Sequence, residues 1–271
     1  MEPILEIKNL NSFYRQGSSA FSRGKSVQVL KDVNLTIGRG EVLGLVGESG
    51  SGKTVTAMAL AGLLSSTRTQ LSGRIVFRDR DLFQASREEL RAIRGKEICV
   101  VFQEPMTSLD PVMPIGPQVE EALLVHTGLP PDQRRVKALQ AMADAELPDP
   151  KTLYRKYPHE LSGGMLQRVM IAAAIISEPD LLICDEPTTA LDVTIQEGIL
   201  TLLKKINQEK GTGILFISHN LHVVRKLCTR VAVMCKGELI EEGPVDQVFF
   251  HPQQDYTKRL IAAIPTRRKR G

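Results

Sequence analysis

Residues 47–54 read GESGSGKT, a glycine-rich octapeptide that fits a sharp strand-to-helix turn. An apolar run at residues 42–46 precedes it and a second apolar stretch at residues 55–61 follows, which predicts a buried strand and then a helix. Glycines at this spacing let successive backbone N–H groups point at one anion, where the dipole of the following helix favours negative charge. The pattern is that of a P-loop, whose lysine contacts the β- and γ-phosphates and whose last hydroxyl contacts Mg²⁺. The residues predicted to bind nucleotide phosphates are Gly47, Glu48, Ser49, Gly50, Ser51, Gly52, Lys53, Thr54 and Val55, with Thr54 also predicted to bind the metal ion.

Charge gives no indication of a nucleic-acid partner. The 271 residues include 35 basic and 31 acidic side chains, a net charge of +4, which is too small to predict binding to a polyanion. Part of that surplus is local, because residues 267–270 read RRKR. A solvated terminus is the favoured interpretation of this tail, and contact with an anionic membrane surface is the alternative.

Four cysteines are scattered along the chain without the CxxC spacing of a metal or redox site. Cys99, Cys184, Cys228 and Cys235 lie mostly within apolar runs, which predicts buried free thiols in a reducing compartment. No leader segment is visible, and no apolar run is long enough to cross a bilayer. We therefore expect a cytosolic chain that needs another subunit to span any membrane at which it acts.

The order of apolar runs predicts an α/β fold with an antiparallel opening. Alternating residues at 4–10 and 27–37 predict two antiparallel strands, and strand and helix patterns alternate from residue 181 onward, as in a parallel sheet. The intervening segment is punctuated by proline and then helical, as expected for an insertion. We predict a single domain over residues 1–271, with a nucleotide-binding core at 1–104 and 178–250, a helical insertion at 105–177 and a C-terminal tail at 251–271.

A second candidate cluster consists of polar residues that follow buried strands. The run at 181–186 ends in Asp185, a predicted Mg²⁺ partner, and Glu186, which would polarise an attacking water. Gln103 ends its own strand and would bond Mg²⁺ or the same water. His219 also follows a strand, and its imidazole would donate to the γ-phosphate. The alternatives are an ordinary strand-to-loop boundary for the two carboxylates and a structural role for the histidine.

Two further features are candidates for nucleotide contact. Ser162, Gly163 and Gly164 open a long apolar helix, where exposed N–H groups would bind an anion, although a plain helix cap is the favoured explanation of this motif taken alone. Tyr14 lies in a predicted loop after the first strand and would stack on a purine, with an ordinary surface tyrosine as the alternative.

The order of these motifs resembles that of the ATP-binding-cassette ATPases. The matching positions are the adenine-stacking loop (Tyr14), Walker A (47–54), the Q-loop (Gln103), the signature (161–164), Walker B with its catalytic glutamate (Asp185 and Glu186), the D-loop (189–192) and the switch histidine (His219). The resemblance covers nearly the whole chain. It implies ATP and Mg²⁺ as cofactors, and a P-loop NTPase cassette with a RecA-like parallel-sheet core, an N-terminal antiparallel β subdomain and an inserted helical subdomain.

Longer segments resemble the bacterial ATPases that drive import of oligopeptides, dipeptides or nickel. These segments are 93–98, 102–111, 157–165, 185–196 and 256–260. The similarity is to the first of two paired ATPase subunits, many of which hold an iron–sulfur cluster in a C-terminal extension. The sequence ends at Gly271 without the corresponding cysteines, so no cluster is expected. Leu166 resembles nickel-type members, and the choice between peptide and nickel stays open.

The resemblance also implies partners. Cassettes of this family pair head to tail, with ATP between the Walker A loop of one and residues equivalent to Ser162, Gly163 and Gly164 of the other. We expect a second ATPase subunit, with a heterodimer favoured over a homodimer, two membrane permease subunits bound near residues 106–114, and an extracytoplasmic solute-binding protein as an indirect partner. The predicted location is peripheral, on the cytoplasmic face of the bacterial inner membrane.

Two alternative functions remain at this stage. A soluble cassette protein of DNA repair or translation would normally show a coiled-coil insertion, tandem cassettes or a strongly basic face, and the sequence shows none of these. A P-loop kinase leaves residues 161–164 and His219 unexplained.

Overall fold

A computed structural model describes residues 3–15, 26–65, 67–189 and 191–263. Residues 16–25, between the first two predicted strands, Ala190 of the D-loop and the basic tail at 267–270 lie outside the described residues. The chain clusters into two compact units. The first unit contains the described residues of 1–4, 38–41 and 84–215, and the second contains those of 5–37, 42–83 and 216–271.

The elements of the described residues alternate much as the sequence predicts. The strands are β1 (Pro3–Arg15), β2 (Ser26–Gly38), β3 (Val42–Val46), β4 (Thr69–Phe77), β5 (Arg80–Asp81), β6 (Ile98–Val101), β7 (Leu181–Asp185), β8 (Gly213–Ile217), β9 (Arg230–Cys235) and β10 (Glu238–Pro244). The helices are α1 (Lys53–Leu60), α2 (Arg87–Ile93), α3 (Pro105–Ser108), α4 (Ile115–His126), α5 (Pro131–Asp144), α6 (Pro150–Leu153), α7 (Gly163–Ile175), α8 (Val193–Lys210), α9 (Leu221–Leu227), α10 (Val245–Phe250) and α11 (Asp255–Ala262), with a 3₁₀ turn at Pro158–Glu160.

The second unit contains the predicted antiparallel sheet, in the order β2-β1-β4-β5. Strand β1 places Leu5 opposite Phe77 and Ile7 opposite Ile75, and all four side chains are fully buried. The register shifts between Lys8 and Asn11, where a bulge interrupts the pairing. Strand β4 begins at Thr69, and Gly73 lies within it, opposite the bulge in β1.

The second unit also holds the strand that leads into the glycine-rich loop. All five residues of β3 are buried, and β3 pairs in parallel with β9 from Leu43 opposite Arg230 to Val46 opposite Val233. A parallel strand covered on both faces has no solvent side, which is why β3 reads as an uninterrupted apolar run. Strand β10 pairs antiparallel with β9 and was not predicted.

The first unit contains a second parallel pair and most of the helices. Strand β6 pairs with β7 from Ile98 opposite Leu181 to Val101 opposite Cys184. Helices α4, α5 and α7 pack on one another within the predicted insertion. The division of the chain into core, insertion and tail stays a prediction. Within the described residues, no helix combines the length and apolar composition needed to cross a membrane.

Helix α4 is fixed to the segment after α6 at a glycine. The N–H of Gly116 donates to the Tyr154 carbonyl at 2.9 Å, and Tyr154 donates its hydroxyl to the Glu120 carboxylate. Burial, followed by the bond to Glu120, raises the pKa of the Tyr154 hydroxyl to about 12. A Cβ on Gly116 would lie 2.3 Å from the Tyr154 ring, so this contact requires a residue without a side chain.

We expect Gly116→Ala to destabilise the chain by about 1–3 kcal/mol, because the added methyl group overpacks the Tyr154 ring. Gly128→Ala is the matched control, since a Cβ there meets nothing within 4 Å. Urea unfolding of the two variants and the wild type measures the difference. Equal midpoints for Gly116→Ala and Gly128→Ala would show that the ring moves aside without cost.

Candidate functional site

The glycine-rich loop of the second unit wraps closely against strand β9. Strand β3 ends at Val46, and Gly47 follows with a φ of 152°. A Cβ on Gly47 would lie 2.2 Å from the Met234 carbonyl oxygen, so only glycine permits this approach of the two backbones. The loop ends at Gly52, the N-cap of α1, and the Gly237 N–H donates to the Ser51 carbonyl at 2.9 Å. Neighbouring backbone therefore supports the loop on more than one side.

Lys53 lies inside the loop that it follows. Its side chain is almost fully buried, and its ammonium group donates to the carbonyl oxygens of Gly47 and Glu48, each at 2.9 Å. The loop thus curls around the ammonium group and holds one positive charge beside its own backbone. This is the arrangement expected of a lysine that meets phosphate oxygens.

The hydroxyl group of Ser51 gives a direct test of whether an anion fits this loop. Ser51 is 4% exposed, and its Oγ has no hydrogen-bond partner among the described residues. A buried hydroxyl without a partner is costly, and a phosphate oxygen would accept its hydrogen bond. The residues present therefore fit a bound phosphate group.

Tyr256 contacts the loop and was not assigned a role from the sequence. The Glu48 N–H donates to the Tyr256 hydroxyl at 3.1 Å across 208 positions of the chain. Residues 256–260 contributed to the family resemblance, but local sequence gives no signal for a contact between residues so far apart. Only the fold of the second unit brings this tyrosine to the loop.

The predicted carboxylate cluster lies in the first unit, where the structure brings two of its members together. Asp185 ends β7 and is 5% exposed, and Glu186 follows with a φ of 47°. The Gln103 side-chain amide donates to Glu186 Oε2 at 3.3 Å. The Thr189 hydroxyl donates to the same oxygen at 3.0 Å. Two donors therefore orient the Glu186 carboxylate. Gln103 is predicted to contact Mg²⁺ or the attacking water and not Glu186, and the sequence assigns no such contact to Thr189.

The segment after the carboxylates is tied to helix α8. Asp192 caps α8 by accepting the Ile195 N–H at 2.9 Å, and the Gln196 side chain donates to the Thr188 hydroxyl at 3.1 Å. These bonds fix the chain on the C-terminal side of Glu186, so the loop that carries it begins at a buried strand and ends at a capped helix.

The prediction of buried thiols is confirmed for Cys99, Cys184 and Cys228, while Cys235 is half-buried. Burial raises the pKa of Cys99 to about 11 despite a hydrogen bond with Ser177. Burial also raises the pKa of Cys184, with a further contribution from the adjacent Asp185. These two thiols therefore stay protonated at neutral pH.

The signature residues form an exposed helix N-terminus in the first unit. Ser162 is the N-cap of α7 and accepts the Met165 N–H at 3.4 Å, so the capping role is confirmed. Ser162 and Gly163 are exposed. Gly164 is buried, and a Cβ there would lie 2.7 Å from Ile195 of α8, so the close packing of α7 on α8 requires glycine. Contact of these residues with nucleotide stays a prediction.

His219 and Tyr14 have exposed side chains in the second unit. His219 follows Ser218, whose N–H donates to the Leu45 carbonyl at 3.3 Å and so fixes this turn beside β3. Tyr14 is 40% exposed and lies within β1 opposite Thr69. The prediction of a loop at Tyr14 is wrong, because pairing with β4 continues the strand to the end of its described part. Its role in stacking stays a prediction.

The metal ligands predicted from the sequence are all oxygen donors. Thr54 is an exposed residue that supplies a hydroxyl, Asp185 supplies a carboxylate and Gln103 an amide oxygen. Mg²⁺ prefers such ligands and is usually held by one or two carboxylates together with substrate phosphates. Within the described residues, no group of three or more His, Cys, Asp or Glu side chains forms a metal cage of its own. The donors present fit a magnesium ion that arrives with a nucleotide.

Comparison with known proteins identifies the family. The ABC transporter family model matches residues 30–189. The oligopeptide transport ATP-binding protein OppD of Lactococcus lactis subsp. cremoris is 42% identical over 265 residues, covering 98% of this chain and 77% of the relative. The dipeptide transport ATP-binding protein DppD of Bacillus subtilis is 42% identical over 266 residues, covering 98% of this chain and 78% of the relative.

Solved structures confirm the predicted fold class. The dimeric ATP-binding cassette MJ0796, in a post-hydrolysis state bound to ADP and Pi, is similar with a TM-score of 0.78 and 31% identity, covering 89% of this chain and 98% of its own. The cbiO1 protein of Clostridium perfringens, part of the ABC transporter complex cbiONQ, has a TM-score of 0.76 and 31% identity, covering 93% of this chain and 92% of its own. The chain therefore belongs to the ABC transporter ATP-binding proteins, in the family of oligopeptide and dipeptide import subunits.

Proposed function

We propose that this chain is the ATP-hydrolysing subunit of a bacterial importer of peptides. The observation that carries the proposal is the Glu186 carboxylate, which follows a buried strand and is oriented by Gln103 and Thr189. The relatives described above are oligopeptide and dipeptide transport proteins, which favours peptides over nickel chelates as the cargo. The same descriptions favour transport over a soluble role in DNA repair or translation.

The glycine-rich loop would hold the phosphates of ATP. Lys53 brings a positive charge to the loop, and the Ser51 hydroxyl, which has no partner in the described part of the chain, would donate to a phosphate oxygen. The exposed ring of Tyr14 would stack on adenine. The contacts of the loop are with phosphate oxygens, which every nucleoside triphosphate shares, so selectivity for adenine would depend on residues such as Tyr14.

Thr54, Asp185 and Gln103 would hold the magnesium ion. When bound, the ion neutralises negative charge on the phosphate oxygens. The buried position of Asp185 at the end of a strand limits its motion, so its carboxylate needs little reorganisation to act as a ligand or to bind a water of the ion.

Glu186 would act as the general base of hydrolysis. Its carboxylate accepts a proton from the attacking water as the water oxygen bonds to the γ-phosphorus, and the bond from that phosphorus to the bridging oxygen breaks. Gln103 and Thr189 both donate to Oε2 of Glu186, and Oε1 would accept the proton of the water. His219 would donate a hydrogen bond to the γ-phosphate.

A second cassette would complete the site. Ser162 and Gly163 are exposed at the N-terminus of α7, where backbone N–H groups and the helix dipole favour an anion from another molecule. The similar cassette MJ0796 is described as dimeric, which supports a paired arrangement. We favour a heterodimer, in which ATP prefers the closed pair and hydrolysis allows it to reopen.

An exposed apolar surface in the first unit would bind the membrane subunits. Met106, Val112, Leu124 and Val125 are 55%, 81%, 59% and 48% exposed. Val125 lines a cavity of about 340 Å³ whose wall also contains Leu109. Of the four exposed side chains, Val125 alone lines this cavity, and the other three belong to the same stretch of chain, residues 106–125. Exposed apolar side chains in one segment are typical of a protein-binding surface. Two permease subunits bound here would place the chain on the cytoplasmic face of the membrane, where the permease would receive peptide from a solute-binding protein outside.

We expect Glu186→Gln to lower ATP turnover by about a hundredfold or more, because the amide cannot accept the proton of the attacking water. ATP binding should be retained, and a dimer should accumulate in ATP and Mg²⁺. Phosphate release and size-exclusion chromatography measure the two effects. Glu178→Gln, an exposed carboxylate of the same unit, is the control. Turnover at the wild-type rate would remove Glu186 from the role of base.

We expect Val112→Glu and Val125→Glu to weaken copurification with the membrane subunits by about tenfold, because each places a charge in an apolar contact. ATP binding by the isolated chain should not change. Val136→Glu is the matched control, since Val136 is also strongly exposed, at 67%, but lies on α5, whereas Val125 lies on α4 and Val112 in the segment before α4. Copurification unaffected by the first two variants would place the membrane contact elsewhere.

A further inference from the structure

The backbone N–H and C=O groups of Glu48 are both hydrogen-bonded to side chains in the second unit. The Glu48 carbonyl oxygen accepts a hydrogen bond from the Lys53 ammonium group at 2.9 Å. On the side of its nitrogen, the N–H donates to the Tyr256 hydroxyl at 3.1 Å. Lysine is part of the glycine-rich pattern itself, whereas the tyrosine comes from α11, near the end of the described residues.

Helix α11 is positioned by a carboxylate on strand β10. Glu241 accepts the N–H of Gln253 at 2.7 Å and that of Gln254 at 3.1 Å, immediately before the helix begins. Partial burial alone would raise the pKa of Glu241, but these backbone donors, together with the Thr257 side chain and the charge of Lys258, outweigh it and hold the pKa below its ordinary value. The carboxylate is therefore ionised at neutral pH and binds the start of α11.

A bulge in β10 places the Glu241 carboxylate where it can accept these two N–H groups. Leu239 pairs with Met234, and Glu241 pairs with Val233, so Ile240 is an extra residue in the ladder. Each added residue moves the following side chain to the other face of a strand. Without the bulge, Glu241 would point to the opposite face of β10 and would not meet the two N–H groups.

We propose that Tyr256 is a positioning residue for nucleotide binding, through which α11 holds the glycine-rich loop in the conformation that accepts phosphate. The inference rests on the proposed function, because it concerns the loop that would bind ATP. The tyrosine acts through Glu48 and need not touch the nucleotide. A continuous series of contacts in the second unit links the β10 bulge to Glu241, Glu241 to the start of α11, and Tyr256 of α11 to the glycine-rich loop.

The physical basis is a change in the population of the binding-competent loop. When only a fraction of molecules has the competent conformation, the apparent dissociation constant rises by the inverse of that fraction. Burial is the largest effect on the Tyr256 phenol and raises its pKa. The hydroxyl therefore remains neutral at neutral pH and accepts the hydrogen bond of the Glu48 N–H. Removing one such hydrogen bond favours other loop conformations and leaves an N–H without its partner.

Tyr256→Phe tests the contact itself, because it deletes the hydroxyl and keeps the ring. In the full chain without nucleotide, site-resolved hydrogen exchange of the Glu48 amide should become about tenfold faster. The sequence around Glu48 is unchanged, so its intrinsic exchange rate is the same in both proteins. Unchanged exchange at Glu48 would overturn the proposal, whatever the activity of the variant.

Nucleotide affinity tests the consequence of the contact. Tyr256→Phe should raise the Kd for MgATP by about three- to tenfold, with turnover at saturating ATP close to that of the wild type. Tyr154→Phe is the matched control, since it also removes a hydroxyl hydrogen bond but in the first unit. It should lower thermal stability without changing the Kd. An unchanged Kd in Tyr256→Phe, or an equal change in both variants, would contradict a positioning role.

The contact of Glu241 with the start of α11 can be tested in the same way. Glu241→Ala should weaken MgATP binding to a similar extent, and the double variant with Tyr256→Phe should be little weaker than either single one, because both interrupt the same chain of contacts. Full additivity would show that Tyr256 acts independently of α11 docking. MgATP binding by the wild type separates the two proposals. If the wild type does not bind MgATP, the proposed function is wrong. If the wild type binds MgATP and Tyr256→Phe binds it equally well, this inference alone is wrong.

Discussion

A lysine ammonium group is costly to bury, and Lys53 is only 5% exposed. The cost is offset by the carbonyl oxygens of Gly47 and Glu48, which the loop can present only by curling around its own lysine. That curl brings Gly47 against the Met234 carbonyl, where a side chain has no room. Glycine is thus required at residue 47, where the loop encloses this charge.

In the first unit, hydrogen-bond donors likewise stabilise a charged group in a site with little water, here the Glu186 carboxylate. Asp185 and Glu186 follow a fully buried strand, where carboxylates have little water, and Glu186 has donors from Gln103 and Thr189. Its φ of 47° is uncommon for a residue other than glycine, and the buried strand before it and the capped helix after it hold it there. Strand ends thus give these carboxylates fixed positions that a free loop would not provide.

Much of this arrangement was predictable because the signals are local. Strand β3 and strand β7 read as uninterrupted apolar runs, and Ser162 reads as a helix cap from its immediate neighbours. Strand β10 was missed because Glu238–Pro244 is charged and half-exposed, as an edge strand is, so it lacks the apolar signal. The Tyr256 contact was missed because it joins residues 208 positions apart. Thr189 was missed as an orienting group because threonines near turns are common and only the fold shows which one faces a carboxylate.

The distribution of the four thiols has a practical consequence. Cys99 and Cys184 are buried and protonated at neutral pH, and Cys228 is buried as well, whereas Cys235 is half-buried at the end of β9. Cys235 lies two residues before Gly237, whose N–H binds the Ser51 carbonyl in the glycine-rich loop. A maleimide fluorophore would thus react preferentially at this position in the native protein. The wild-type chain already carries an optical reporter site beside its loop, with no need to replace the other cysteines.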